Sequence, residues 1–173
     1  LYYLRSREES DEAFRELRDK FKQHVQFAAG QRQVSEIWQL DLDSWQAEKL
    51  VDEKRHITAF RVSPDQSRIA MLTTPDDRLI TNEGQSRVDI FNAKTRKATP
   101  LPDKLWRADA PSPNGWLEGL AWSSDSQMLA FSIGFDGYPS ELFAASSLDA
   151  DAPTIIRIKR PEECYVAGNF EWI

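Results

Sequence analysis

The chain says the same thing twice in different residues. Residues 57–71, Ile-Thr-Ala-Phe-Arg-Val-Ser-Pro-Asp-Gln-Ser-Arg-Ile-Ala-Met, recur at 117–131 as Leu-Glu-Gly-Leu-Ala-Trp-Ser-Ser-Asp-Ser-Gln-Met-Leu-Ala-Phe. A third copy opens near the end, where Phe170 and Trp172 stand in the places of Phe60/Val62 and Leu120/Trp122. Each full copy is an alternating apolar strand, a Ser/Asp-rich turn and a second apolar strand. Repeats about 40–60 residues apart and built of short strands predict a β-propeller, one blade per repeat.

Four strands followed by a fresh copy is the rhythm of a blade. The first repeat, Val88 to Phe91 and Ala98 to Leu101 supply the strands of one blade over 57–116, closed by Pro102. The second repeat, Glu141 to Ala144 and Thr154 to Ile158 supply another over 117–165, and residues 166–173 begin a further one. Residues 1–56 read as part of a blade: Leu1 to Leu4, a strand in which Trp38, Leu40 and Leu42 alternate with Ile37, Gln39 and Asp41, and a polar outer strand from Ala47 to Val51. Inserted there, Phe14, Leu17, Phe21 and Val25 fall on one helical stripe. Ser10 caps its start, and Gly30 stands beyond its end, so an α-helix is expected over about 10–27. The fold class expected is therefore all-β: a propeller fragment of four-stranded antiparallel blades with one inserted α-helix near the N-terminus. The alternation places Phe60, Val62, Leu120, Trp122, Phe170 and Trp172 on equivalent faces, where adjoining blades stack. A blade cannot hide both faces alone, so further blades are expected as partners.

Charge and composition exclude several functions. A net charge of -6 lacks the clustered Lys/Arg of a nucleic-acid surface. No apolar run is long enough to span a membrane, so a soluble chain is expected. The chain starts at Leu1 without a secretory pattern and reads as a piece of a longer protein. One cysteine, Cys164, makes neither an internal disulfide nor a cysteine-based zinc site. No metal site and no cofactor is expected.

The repeat core resembles the W-S-P-D-G-x-x-[IL]-A-F signature of TolB-like propellers and of the propeller domains of prolyl oligopeptidase-family serine peptidases. It stands here as Val62-Ser63-Pro64-Asp65-Gln66-Ser67-Arg68-Ile69-Ala70-Met71 and as Trp122-Ser123-Ser124-Asp125-Ser126-Gln127-Met128-Leu129-Ala130-Phe131. The strings SEIWQLDL, EKLVDEKR, RIAMLTTPDDRLITNEGQSRVDIF, ATPLPDKLWRADAPSP and FDGYPSELF look like bacterial members of the dipeptidyl-peptidase and acylaminoacyl-peptidase branches. The chain departs from the signature at its turn glycine, which is Gln66 in one copy and Ser126 in the other. If the turns keep their shape, both residues hold a positive φ.

The resemblance implies a non-catalytic propeller portion that gates and orients peptide substrates for a separate α/β-hydrolase domain, in the cytoplasm or periplasm of a bacterium. The hydrolase itself is not in this sequence. Gly84-Gln85-Ser86-Arg87-Val88 has Val where a nucleophile elbow needs its second Gly, and it precedes a strand. His24 and His56 are the two histidines, and neither accompanies an elbow. No catalytic residue is assigned. Glu162-Glu163 lacks the aromatic surroundings of the family's amino-terminus clamp, and a loop beside a blade junction is the reading. Substrate-channel candidates come from two long loops, since long loops in compact domains are often functional. Trp106, Arg107 and Trp116 lie in Pro102 to Gly119, and Tyr138 lies in Gly134 to Pro139. The alternative for the two Trp rings is that they cap the blade junction. The alternative for the chain is a TolB-like scaffold for protein–protein binding, without peptidase activity. A stand-alone all-β enzyme using Asp/Glu at a blade mouth finds no convergent cluster.

Overall fold

The computed structural model describes residues 1–6, 19–20, 34–53, 55–74, 86–107, 115–135, 138–149, 152–161, 170 and 172. The chain divides into two units, one of Leu1–His56 with Pro75–Thr81, the other of Ile57–Thr74 with Asn82–Ile173.

In the first unit β1 (Tyr2–Ser6), β2 (Ser35–Leu40) and β3 (Ala47–Val51) form an antiparallel sheet in the order β1-β2-β3. Ile37 and Val51 are buried, with Val34 beside them in sequence at the strand entrance. Glu36 is buried too, but Trp38 Nε1 and Lys49 Nζ donate to its carboxylate at 2.8 and 3.3 Å, so the charge is paired. Strand β2 stops at Leu40, two residues before the sequence pattern ends. The Asp41 carboxylate accepts the amides of Asp43 and Ser44 at 2.9 and 2.8 Å and turns the chain, leaving Leu42 outside the sheet. Of the inserted helix, Asp19 and Lys20 are helical; the rest of 10–27 lies outside the described residues.

In the second unit β4 (His56–Val62), β5 (Arg68–Thr74), β6 (Arg87–Asn92) and β7 (Lys97–Pro100) make one four-stranded sheet, ordered as in the chain. A second follows from β8 (Trp116–Trp122), β9 (Leu129–Phe135), β10 (Tyr138–Ser146) and β11 (Thr154–Ile158), again in sequence order. Consecutive strands pair antiparallel within each sheet. These are two blades of a β-propeller, and the chain is an all-β propeller fragment.

Ala70, Leu72, Val88 and Ile90 of the first blade and Leu120, Trp122, Leu129, Phe131, Ile133 and Phe143 of the second form one buried apolar cluster. Strand β10 begins at Tyr138 and β9 runs to Phe135, so strands occupy most of what reads as a loop over 134–139.

The repeated turn is built twice from the same parts. Ser63 Oγ donates to Asp65 at 2.6 Å and accepts the Arg68 amide at 3.0 Å; Ser123 Oγ donates to Asp125 at 2.6 Å and accepts the Met128 amide at 2.9 Å. Each Asp carboxylate accepts the amide two residues on, from Ser67 or Gln127. Gln66 and Ser126, in place of the signature's glycine, have φ of 59° and 63°. The turns therefore keep the left-handed residue that glycine ordinarily supplies.

Candidate functional site

Antiparallel order puts the end of β5, the start of β6, the starts of β8 and β10 and the end of β9 at one end of the two blades, opposite the repeated turns. The candidate residues gather there. After β7, Leu101 donates its amide to Val88 and is buried, and a 3-10 turn over Asp103–Leu105 carries the chain to Trp106. The turn ends as the Trp106 amide donates to the Asp103 carbonyl.

Trp106 is 1% exposed. Its ring meets Phe131 edge-on, with centroids 5.2 Å apart, and Phe143 at a tilt, 5.6 Å away. Phe131 and Phe143 stack on each other at 5.5 Å. Such offset and edge geometries add to the area these rings bury. The indole is thus part of the inter-blade packing, and it presents no surface to a peptide. Among the described residues its Nε1 has no hydrogen-bond partner.

Arg107 lies over the Trp106 ring, 4.5 Å from the centroid. One amino group donates to the Ser86 carbonyl at 2.6 Å, and Nε stands 3.4 Å from the Asp103 carboxylate. Burial raises the Asp103 pKa above the ordinary carboxylate value, with the Arg107 charge opposing it. Ser86, the serine of the imperfect elbow, is buried. Its Oγ accepts the Leu117 amide at 3.3 Å, which ties the first blade to the start of β8. Trp106, Arg107 and Ser86 are therefore brought together, as a joint between blades. Trp116 does not lie in the loop the sequence reading gave it. It opens β8 opposite Gly134, half-buried, because the strand begins before the repeat does. Tyr138 opens β10 opposite Phe135. His24, Gly84, Gln85 and the Glu162-Glu163 pair lie outside the described residues.

A second feature escaped the sequence reading. Glu141 and Arg157 form a bidentate pair, Nε to Oε2 at 2.8 Å and the terminal amino group to Oε1 at 2.5 Å, on adjacent strands β10 and β11. With Lys159 and Arg160 they line a cleft of about 330 Å³. The pair is diagonal across the sheet, so only the register, Phe143 opposite Arg157, would have disclosed it. Among the described residues no group of His, Cys, Asp and Glu could hold a metal ion, and no helix is long and apolar enough to cross a membrane.

Strand order and repeat define the class of protein, a fragment of a β-propeller. No protein-family model matches the chain. Acylamino-acid-releasing enzyme of Sus scrofa is similar to it, 28% identical over 117 residues, a stretch that is 65% of this chain. The chain matches 15% of that protein's length. The solved structure of TolB from Acinetobacter baumannii superposes with a TM-score of 0.47 at 16% identity, over 76% of this chain and 28% of that one.

Proposed function

We propose that this chain is the non-catalytic propeller portion of a serine peptidase of the acylaminoacyl-peptidase kind, covering a separate α/β-hydrolase domain and orienting peptides toward it. The observation that carries this reading is the 28% identity over 117 residues with acylamino-acid-releasing enzyme. The partners are then the remaining blades and the hydrolase domain of the longer chain, with peptides as the passing ligand. On this reading the inter-blade joint of Trp106, Arg107 and Ser86 holds the blades in register at the loop end. Trp116 and Tyr138, at the starts of β8 and β10 on either side of β9, are the residues assigned here to contact with a peptide.

The chain contributes exclusion and orientation. Rate enhancement by a peptidase needs a nucleophile, a base and oxyanion donors placed together. Ser86 has its oxygen engaged by a backbone amide and is buried between blades. The test is a serine-reactive fluorophosphonate probe applied to this chain and to the full-length protein, alongside hydrolysis of acyl-amino-acid substrates. The expected result is labelling and hydrolysis by the full-length protein alone. Stoichiometric labelling of this chain, abolished by Ser86→Ala, overturns the non-catalytic assignment. An unlabelled and inactive full-length protein overturns the peptidase assignment and leaves the scaffold reading.

A further inference from the structure

The hairpin between β2 and β3 ends in an exposed aromatic residue that the fold does not require. Trp45 is 74% exposed and Leu42, three residues earlier, is 57% exposed. The turn holding them is well fixed: Asp41 Oδ1 accepts the amides of Asp43 and Ser44, and the Asp41 amide donates to the Gln46 carbonyl at 2.9 Å. Trp45 sits at φ 56°, in the left-handed region. For a bulky residue that backbone is an outlier.

The chain contains its own control. The hairpin between β6 and β7 uses the same device, with Asn92 Oδ1 accepting the amides of Lys94 and Thr95, both at 3.0 Å, and Arg96 at φ 55°. Asn92, Lys94, Thr95 and Arg96 thus stand where Asp41, Asp43, Ser44 and Trp45 stand. The shared geometry accounts for the left-handed residue in each turn, but not for tryptophan at that place in one of them. An exposed Trp beside an exposed Leu, held on a strained and hydrogen-bonded turn, is what an interface anchor looks like before it is covered.

The two turns are also opposite in charge. Asp41-Leu42-Asp43-Ser44-Trp45 carries two carboxylates and no cation, and hydrogen bonds from Ser44 and Asp43 hold the Asp41 pKa below its ordinary value, so it is ionised. Ala93-Lys94-Thr95-Arg96-Lys97 carries three cations and no acid, and all five residues are exposed. We infer that the acidic, aromatic turn docks on the basic turn of a second copy of this protein. Trp45 then lies against the stems and charged heads of Lys94 and Arg96, with Asp41 and Asp43 facing Lys94 and Lys97.

The inference is independent of the peptidase reading and is tested without any activity. Sedimentation of the full-length protein is followed from micromolar concentration upward, at low and high salt. The expected result is reversible self-association weakened by salt. Trp45→Gly should weaken it about tenfold or more, the effect of removing one anchoring aromatic. Glycine suits the turn's positive φ, so this variant keeps the fold, which circular dichroism checks. Asp41→Asn/Asp43→Lys reproduces the polar pattern of the other turn and should abolish association. Lys94→Asp/Arg96→Glu/Lys97→Glu should abolish it as well. A mixture of the acid-reversed and base-reversed variants does not restore the wild-type pairing unless the contact is between these two turns; hetero-association in the mixture is the expected outcome. A wild type that stays monomeric overturns the proposal. So does a Trp45→Gly variant that associates like the wild type, or a mixture that shows no hetero-association.

Discussion

The indole N–H of Trp122 donates to the carbonyl of Arg61 across the blade junction at 2.9 Å. Trp172 repeats the bond one copy later, donating to the Ala121 carbonyl at 3.0 Å. Arg61 and Ala121 are equivalent in the repeat, as are Trp122 and Trp172, so one stitch recurs at both tryptophans. Trp122 is also buried in the apolar cluster between the blades. Trp122→Ala should cost about 3–5 kcal/mol through lost packing. Trp122→Phe keeps a ring but gives up the stitch, at a cost of about 1–3 kcal/mol. Denaturant unfolding of both variants measures the two contributions.

Gln66 and Ser126 share a backbone conformation and should respond oppositely to glycine. The Gln66 side chain is exposed, at φ 59°. Gln66→Gly removes a side-chain penalty of about 1 kcal/mol, partly offset by the greater freedom of the unfolded chain, so stability should rise by up to about 1 kcal/mol. Ser126 is buried, and its Oγ accepts the Asp65 amide from the neighbouring blade at 3.0 Å. Ser126→Gly relieves the same backbone but breaks that bond, and stability should fall by about 1 kcal/mol. Thermal melts of the two single variants decide it. Destabilisation by Gln66→Gly would count against the turn geometry.

The blades were legible because the repeat is local. Ser63, Asp65 and Arg68, like Ser123, Asp125 and Met128, close their turns within a few residues, so sequence spacing reports the bonds directly. The positive φ of Gln66 and Ser126 was legible for the same reason, through the glycine they replace. Contacts between blades were not. Ser126 reaches Asp65, and Arg68 pairs with Asp149 while donating to the Ser126 carbonyl at 3.2 Å. These partners lie far apart in sequence, and nothing in either segment announces the other. That Trp106 caps the blade junction was legible as the alternative to a substrate channel; its partners Phe131 and Phe143 were not, because a loop sequence does not disclose what lies beneath it. Leu42 was misplaced since alternation continues past Leu40, while the Asp41 carboxylate had already turned the chain.

Trp106 and Trp122 are both buried indoles, and phenylalanine should tell them apart. Trp122 loses a hydrogen bond on substitution. Among the described residues the Trp106 Nε1 has none to lose. A buried donor without a partner costs about 1–3 kcal/mol, so Trp106→Phe trades lost ring area against relief of that cost. Trp106→Phe should therefore be milder than Trp122→Phe, although Trp106→Ala should cost about 3–5 kcal/mol, like its counterpart. Equal losses for the two Phe variants would show that the Trp106 N–H finds a partner in solution.

Two carboxyls should shape the acid limb of stability in opposite senses. The hydroxyl of Ser63, with the amide and hydroxyl of Ser67, holds the Asp65 pKa at about 2 against an ordinary 3.8. A depressed pKa means that the folded chain favours the carboxylate. Its contribution to stability is fully present above pH 3.8 and is lost as pH falls toward about 2. Asp103 is raised above the same ordinary value by burial, with Arg107 and Arg87 opposing the shift and Asp89 adding to it. There the folded chain favours the protonated acid. That contribution is fully present below pH 3.8 and is lost as pH rises through the folded-state pKa, so ionised Asp103 weighs against the fold at neutral pH. Urea unfolding measured from neutral to acid pH separates the two. Asp65→Asn should flatten the loss of stability on acidification. Asp103→Asn should remove the opposing trend, so that stability falls more steeply on acidification than in the wild type. If Asp103→Asn instead flattens the acid limb, Arg107 prevails over burial, and the pair at the blade junction is a stabilising salt bridge.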